Sequence, residues 1–409
     1  MELDLNNLAA FRVLGRGAMG TVFLAADLSS PSLPPFALKV VDKHDPSAKP
    51  DADRRARWEI YVLSRLLNDP HPFLPSLIGS VESPDFLAWA IPFCPAGDLN
   101  SLRHSLSPDS VFSAAAIRFY LSEIISALSH LHSIGIVYRD LKPENVLLQS
   151  SGHIILTDFD LSRYLHPRFI FPLPLLPSHS PPPRHNRRRR RNLTRIFFSI
   201  PAASSTSSPE RSALPDQLKK AKSARVSPVS RPRTSFSGER SYSFVGTQEY
   251  VSPEVVRGDG HNFAVDWWAL GILTYEMAYG RTPFRGRSRK ETFRNVLTKQ
   301  PEFVGKHRSG LTDLISRLLS KDPTRRLGYV GGAEEVKAHP FFNGVKWELL
   351  ADVGRPPFLA TAEEMEEGEV RLNASDRTAS FDVRDYFKKV RQEQAAAVKS
   401  PSSVSLTEF

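Results

Sequence analysis

The pattern of apolar and polar residues divides the chain into two parts. Apolar residues alternate with polar ones up to about Ala90, and this period of two predicts β-strands. Longer stretches with the 3.6-residue period of amphipathic helices follow, above all at residues 114–135 and 311–322. The pattern therefore predicts an α+β fold with two lobes, a small strand-rich N-terminal lobe and a larger helical C-terminal lobe.

A segment of different composition, from Tyr164 to Ser243, interrupts the helical part. It holds sixteen Lys and Arg against three acids, twelve of the 33 prolines, and five consecutive arginines, Arg187 to Arg191. The net charge of +10 is therefore local, because the remaining residues carry a net charge of −3. Such a composition cannot bury enough apolar surface to order itself, so a disordered insertion is predicted at residues 164–240.

The remaining composition is that of a globular protein. The 409 residues contain one cysteine, Cys94, which excludes an internal disulfide and fits a reducing compartment. The N-terminus lacks the basic and apolar regions of a secretory signal, and no apolar run is long enough for a bilayer. A soluble intracellular protein is expected.

The first chemical motif is a glycine-rich turn near the N-terminus. Gly15, Gly17 and Gly20 with Val22 form G-x-G-x-x-G-x-V, in which backbone N–H groups can approach phosphate oxygens. Taken alone, it could be an ordinary hairpin. Lys39 follows inside a short apolar strand, where its charge needs a partner such as the later Glu59, although an isolated Lys or Glu is usually solvated.

The second motif, at residues 136–148, has residues suited to phosphoryl transfer. Asp140 can orient and deprotonate a hydroxyl, and Lys142 can screen the migrating phosphoryl group. Asn145 and, thirteen residues later, Asp158 offer the oxygen ligands that magnesium prefers. Each could be a turn residue instead, but the complete string favours catalysis.

With these motifs, residues 11–342 apart from the insertion resemble a eukaryotic protein kinase. Tyr138 in place of the commoner histidine, residues 71–77 and the tail after residue 347 resemble the AGC group. The triplet Asp-Phe-Asp at residues 158–160 and the long insertion resemble its plant-specific group VIII, and residues 257–297 resemble the UNICORN-like members. The resemblance implies an N-lobe at 11–94, a C-lobe at 95–342, an AGC-type tail at 343–409, and a role in plant signalling or growth control.

The resemblance also implies the use of ATP and Mg²⁺ and assigns roles to residues. Lys39 would pair with Glu59 and contact the nucleotide phosphates. Glu254 would pair with Arg326 and Asp266 would brace the catalytic loop, all three serving the fold. The implied nucleotide-binding residues are Gly15, Gly17, Gly20, Val22, Ala37, Lys39, Pro92, Cys94, Asp98 and Leu147, with Pro92 offering only its carbonyl group.

Substrate class and regulation are also implied. Lys142, two residues after Asp140, resembles serine/threonine kinases. Asp98 and Glu144 match acidic positions that receive basic residues of substrates, although both could be ordinary surface groups. Ser243 matches an activation-segment phosphosite that Arg139 could bind.

The C-terminal end resembles a docking motif for the phosphoinositide-dependent kinase. Leu406 stands where its first phenylalanine is usual, and Phe409 matches the last. Docking of this end as in the family would therefore be weakened.

The third residue of the triplet, Asp160, stands where glycine is usual. Glycine visits positive φ cheaply and lets the triplet turn over between active and inactive arrangements. Asp160 is expected to accept a local backbone N–H and to restrict this turnover without abolishing activity.

Three hypotheses remain open from the sequence. The chain is an active kinase, a pseudokinase scaffold with a disabled triplet, or a protein whose basic run is its main functional part. The run could bind anionic lipid or an import receptor, which allows a cytoplasmic, nuclear or plasma-membrane location. It lacks interleaved aromatic residues, so sequence-specific nucleic-acid binding is not expected. A monomer is expected.

Overall fold

The structure of the protein is a computed structural model that describes residues 2–17, 19–30, 32–45, 51–106, 111–165, 247–305, 308–352 and 380–399. Nearly all of the predicted basic insertion, with Arg187 to Arg191, lies outside the described residues, as do Ser243, Leu406 and Phe409. Within the described ranges, no helix is both long and apolar enough to cross a bilayer.

The N-terminal lobe is an antiparallel sheet with the strand order β1-β2-β3-β5-β4. Its strands are β1 (Leu8–Gly17), β2 (Gly20–Asp27), β3 (Phe36–Asp42), β4 (Gly79–Glu82) and β5 (Phe86–Pro92), and helix α1 (Ala52–Asn68) follows β3 in the chain. The tight turn between β1 and β2 requires glycine at its end. Gly20 has φ of +127°, and a Cβ there would lie 2.3 Å from the carbonyl oxygen of Val40.

The C-terminal lobe is mainly helical and confirms the predicted α+β class. Its helices are α2 (Leu99–Ser105), α3 (Ala114–Ser133), α4 (Pro253–Arg257), α5 (Ala264–Tyr279), α6 (Arg289–Thr298), α7 (Gly310–Leu318) and α8 (Gly332–Lys337). Two short strand pairs carry the catalytic segments, β6 (Ile136–Val137) with β9 (Arg163–Tyr164) and β7 (Val146–Leu148) with β8 (Ile154–Leu156). Helix α5 is buried along almost its whole length, because it is apolar on nearly all sides.

The two strongest helical patterns of the sequence correspond to α3 and α7. Helix α3 begins after Ser113, whose hydroxyl accepts a hydrogen bond from the N–H of Ala116. Helix α7 begins with a capping box between Ser309 and Thr312. Periodicity and caps therefore agree on both helices.

The last helix of the described chain, α9 (Val383–Lys399), packs on the N-terminal sheet. Phe387 lies with its ring centroid 5.4 Å from that of Phe86 on β5 and 5.9 Å from that of Phe23 on β2. This face of the sheet, which also carries Leu38 and Val40, points away from Lys39 because side chains alternate along β3. The tail thus completes a second apolar core behind the sheet.

Candidate active site

A cleft of about 830 Å³ lies between the N-terminal sheet and the loops of the helical lobe. Most of the side chains that the sequence analysis singled out for nucleotide and phosphoryl chemistry line it. They are Gly15, Gly17, Gly20, Val22, Ala37, Lys39, Glu59, Cys94, Asp98, Asp140, Lys142, Asn145, Leu147 and Asp158.

Lys39 on β3 connects the two lobes at the back of the cleft. Its Nζ donates to Glu59 Oε2 on α1 at 2.8 Å and to Asp158 Oδ1 at 2.9 Å. Burial alone would lower the pKa of Lys39, but Asp158 and Glu59 outweigh it and raise the pKa above its usual value. The same lysine holds the pKa of Asp158 below its usual range against the opposing effect of burial. Lys39 is therefore a fixed positive charge facing the cleft.

Asp140 lies on the opposite wall, in a loop whose side chains bond mainly to one another. Its Oδ2 accepts from Lys142 Nζ at 2.7 Å and from Asn145 Nδ2 at 3.1 Å. The hydroxyl of Thr247, beyond the insertion, donates to Oδ1 at 3.3 Å. These partners orient a carboxylate that is almost fully buried in the protein and still lines the cleft.

The catalytic loop is anchored from below by α5. Asp266, which is fully buried, accepts the backbone N–H of Tyr138 at 2.9 Å and that of Arg139 at 2.7 Å. His132 Nε2 lies 2.7 Å from the same carboxylate. Arg139 has φ of +71°, an uncommon angle for a residue other than glycine, so the bracing by Asp266 holds a strained loop.

A second buried ion pair supports the helical lobe. Both terminal nitrogens of Arg326 bond to the carboxylate of Glu254, at 2.7 and 2.8 Å, and one also donates to the carbonyl of Ala264. The pKa of Glu254 stays below its usual range because Arg326 outweighs the effect of burial. The pairing expected from the resemblance is therefore present in the structure.

The aromatic residues around the triplet form one packed unit. Tyr138 stacks edge-to-face on Phe159 with centroids 5.6 Å apart, and its hydroxyl donates to the carbonyl of Thr157. Both rings are fully buried. Tyrosine in place of the commoner histidine therefore links the catalytic loop to the triplet.

The expected role of the Pro92 carbonyl group stays a prediction, and the Pro92 side chain does not line the cleft. It is exposed at the end of β5, whereas its neighbours Ile91 and Phe93 line the cleft, because consecutive residues of a strand face opposite sides. The other predicted hinge residue, Cys94, faces the cleft, and burial raises the pKa of its thiol to about 12.

The expected backbone role of Asp160 is wrong in its details. The positive φ of the triplet falls on Asp158, at +62°, and not on Asp160. The carboxylate of Asp160 is also paired with a side chain, since its Oδ2 lies 2.8 Å from a terminal nitrogen of Arg55 on α1. The aspartate thus makes a contact between lobes that glycine could not make.

Several residues of the site escaped the sequence analysis. Arg55 and Thr247 line the cleft, and Trp58 on α1 donates to the hydroxyl of Ser162 at 2.9 Å. Glu276 on α5 accepts from the hydroxyl of Tyr250 at 2.5 Å. None stands in a motif whose chemistry fixes its spacing, so the sequence alone offered no signal for them.

Comparison with known proteins identifies the family of the chain. The protein kinase domain model matches residues 8–169 and 231–342, on both sides of the predicted insertion. The chain belongs to the protein kinase family, and its relatives place it among the plant AGC kinases.

Three relatives from Arabidopsis thaliana show this similarity. The chain is 53% identical to the serine/threonine-protein kinase UCNL over 98% of its own length and 92% of the relative's. It is 53% identical to the serine/threonine-protein kinase UCN over 95% and 92%. It is 44% identical to the serine/threonine-protein kinase OXI1 over 88% and 81%. The similarity to UCNL and UCN therefore extends well beyond the catalytic motifs.

Proposed function

We propose that this protein kinase is catalytically active and transfers the γ-phosphoryl group of ATP to serine or threonine in substrates with nearby basic residues. The observation that carries the proposal is the complete catalytic set in one cleft. Lys39 bonds to Glu59 and Asp158, and Asp140 bonds to Lys142 and Asn145. A disabled scaffold would not need to retain these bonds.

The protein's own residues divide the work of the reaction. The substrate hydroxyl attacks the γ-phosphorus, the bond to the β-phosphate oxygen breaks, and ADP leaves. Asp140 orients the hydroxyl and accepts its proton, while Lys142 beside it balances charge on the transferred group. Lys39, held by Glu59, fixes the phosphates of ATP so that the γ-phosphorus faces the hydroxyl.

The donor atoms near the triplet fit Mg²⁺. Lys39 binds Asp158 through Oδ1, so Oδ2 can bind a cation. Asn145 binds Asp140 through its amide nitrogen, so the amide oxygen of Asn145 can bind a cation as well. Mg²⁺ at this place would share the phosphate oxygens of ATP as further ligands. Mg²⁺ held by Asn145 and Asp158 would neutralise phosphate charge.

A cluster of acids supports the preference for basic substrates. Burial raises the pKa of Glu276, and the neighbouring carboxylates of Glu144 and Glu249 contribute further. Arg103 neutralises part of this charge, with its NH2 group 3.4 Å from Glu276. Glu144 and Asp98 line the cleft itself, so a substrate arginine would meet negative charge there.

The experiment is phosphorylation of a degenerate peptide library by the purified full chain with ATP and Mg²⁺. We expect selection of serine or threonine preceded by arginine, and a loss of at least about 100-fold for Asp140→Asn, which is the lower end of general-base effects. Equal incorporation by Asp140→Asn and the wild type would show that the activity belongs to a contaminant.

One regulatory partner is also proposed. An upstream phosphoinositide-dependent kinase would phosphorylate Ser243, and Arg139 would bind the phosphate. In support, Arg139 already holds the segment after the triplet by donating from Nε to the carbonyl of Leu161 at 2.7 Å. Mass spectrometry of Ser243 before and after incubation with that kinase tests the proposal.

A further inference from the structure

Helix α1 is joined to the segment after β8 at three points. Glu59 and Asp158 both bind the ammonium group of Lys39. Arg55 forms an ion pair with Asp160 at 2.8 Å. Trp58 donates a hydrogen bond to Ser162 at 2.9 Å. Residues three and four positions apart share one face of a helix, and the three residues on the segment alternate along it. The catalytic ion pair is therefore one of three contacts between the same two elements.

The pair between Arg55 and Asp160 is buried, unlike most other ion pairs of α1. The side chains of Arg55 and Asp160 are 14% and 5% exposed, whereas Arg57 and Glu82 are 49% and 46% exposed. Exposed pairs contribute little because water and salt screen them. Breaking a buried pair by removing one partner is costly, since it leaves an uncompensated charge inside the protein.

The third contact fixes the backbone of the triplet to the same helix. The hydroxyl of Ser162 accepts from Trp58 and donates to the carbonyl of Phe159 at 2.7 Å. A movement of α1 away from the cleft would break this chain of bonds together with the pair at Arg55. Phe159, at the centre of the triplet, is thus held through its ring by Tyr138 and through its carbonyl group by Ser162.

We propose that Asp160 is a positioning residue that acts through Arg55 to hold α1 where Glu59 can pair with Lys39. Arg55 lies one helical turn before Glu59, so the two side chains move together when the helix moves. The carboxylate of Asp160 thereby supplies the negative charge that holds α1 in the position required for phosphoryl transfer. The proposal rests on the proposed function, because it concerns the geometry of that same site.

A plainer role for Asp160 is that of a counterion that only stabilises the fold. The two roles differ in what a variant changes. A counterion affects the unfolding temperature alone, whereas a positioning residue also changes kcat and the local opening of α1 while the KM for peptide stays constant. Coupling in kcat is a second difference, since a pair that only stabilises the fold would be coupled in the unfolding temperature and not in kcat.

The experiment uses the full chain and the variants Asp160→Asn, Arg55→Met and their double variant. Arg54→Met is the matched control, because Arg54 is the preceding residue of α1 and its side chain is 82% exposed. Steady-state kinetics with ATP and peptide gives kcat and KM, and hydrogen exchange of residues 52–68 reports the opening of α1 without requiring activity.

We expect kcat to fall about fivefold in each single variant and by a similar factor in the double variant. The KM for peptide should be unchanged, exchange in α1 should become faster in all three, and Arg55→Lys should recover part of the loss. Arg54→Met should match the wild type. If Asp160→Asn does not fold, Arg55→Met and Arg55→Lys test the same contact from its other end.

Two results would overturn the proposal. Additive losses in the double variant would mean that the two residues act separately, and unchanged exchange in α1 would reduce Asp160 to a structural counterion. A wild-type chain without any phosphoryl transfer would instead refute the proposed function. The exchange measurement would then still decide whether Asp160 holds α1.

Discussion

The two walls of the cleft are held in place by different means. On the side of the helical lobe, the fully buried Asp266 bonds to the backbone N–H groups of Tyr138 and Arg139. On the side of the sheet, side chains alone hold the geometry, as Lys39 reaches Glu59 and Asp158. The wall on the side of the helical lobe, here called the lower wall, is therefore held through its backbone. The wall on the side of the sheet, the upper wall, depends on ion pairs that break when helix α1 moves.

This difference separates stability from turnover. A backbone N–H that loses its buried acceptor costs free energy of unfolding whether or not substrate is present. A side-chain pair across two lobes matters chiefly when the lobes must hold a phosphate chain in place. Removing the backbone acceptor Asp266 should therefore chiefly lower stability, whereas removing the side-chain pairs of Lys39 should chiefly lower kcat.

The largest expected effect is that of Lys39→Met in the upper wall. It removes the positive charge that faces the cleft and leaves Glu59 and Asp158 without their common partner. Phosphate incorporation into peptide should fall at least about 100-fold, because the ion pair acts as a unit with the rest of the site.

Lys43→Met is the matched control for Lys39→Met. Lys43 also pairs with a carboxylate, since its Nζ lies 2.8 Å from Glu82, but it does not line the cleft. We expect its activity within about twofold of the wild type. Equal losses in the two variants would mean that the effect comes from the lobe's stability and not from the site.

The next effect in size is that of Asp266→Ala in the lower wall. The backbone N–H groups of Tyr138, which is buried, and of Arg139, which is partly buried, lose their acceptor, so the free energy of unfolding should fall by about 2–4 kcal/mol. Denaturant unfolding measures this loss. Asp259→Ala, at an exposed carboxylate paired with Arg257, is the control and should change the free energy by no more than about 0.5 kcal/mol. Equal free energies of unfolding for the two variants would show that the backbone bonds of Asp266 do not stabilise the lower wall.

The site residues that could be predicted from the sequence are those whose spacing is fixed by chemistry. The string from Asp140 to Asn145, with Asp158 downstream, could be recognised because phosphoryl transfer needs those groups in one loop and one turn. Lys39 and Glu59 followed from the same logic, although 20 positions separate them. The structure brings all five into one cleft.

No comparable signal exists in the sequence where two distant residues merely fit together. Arg55 and Asp160 are 105 positions apart, and many charged pairs at that distance would look equally plausible. The side that Pro92 faces depended on the register of β5, which composition does not reveal. The docking of α9 on the sheet depended on complementary apolar faces far apart in the chain.

A smaller effect on turnover is expected for Asp160→Gly, which gives the triplet its usual third residue. Loss of the contact to Arg55 should keep kcat within about tenfold, or about 1.4 kcal/mol of barrier. The affinity for an inhibitor that requires Phe159 to turn out should increase, because glycine frees the backbone and α1 is no longer held.

Turnover and the Kd of one such inhibitor, measured for both forms, check the prediction for Asp160→Gly. A thousandfold rise in turnover from near zero would mean that the natural triplet is a disabling lesion. The hypothesis of a pseudokinase would then replace the hypothesis of an active kinase. An unchanged Kd would show that the conformational change in which Phe159 turns out does not depend on Asp160.

The smallest effect on catalysis is expected for the run Arg187 to Arg191. Replacing these arginines by alanine should leave peptide phosphorylation within about twofold of the wild type, because the run contains none of the residues assigned to catalysis. Its consequence should lie in location, since five adjacent positive charges favour an import receptor or an anionic membrane. Imaging of fluorescent fusions of both forms, with kinase assays of the same preparations, tests the two statements separately. An unchanged distribution would reduce the run to a solvated charge cluster, and a large loss of activity would show that the run contributes to catalysis.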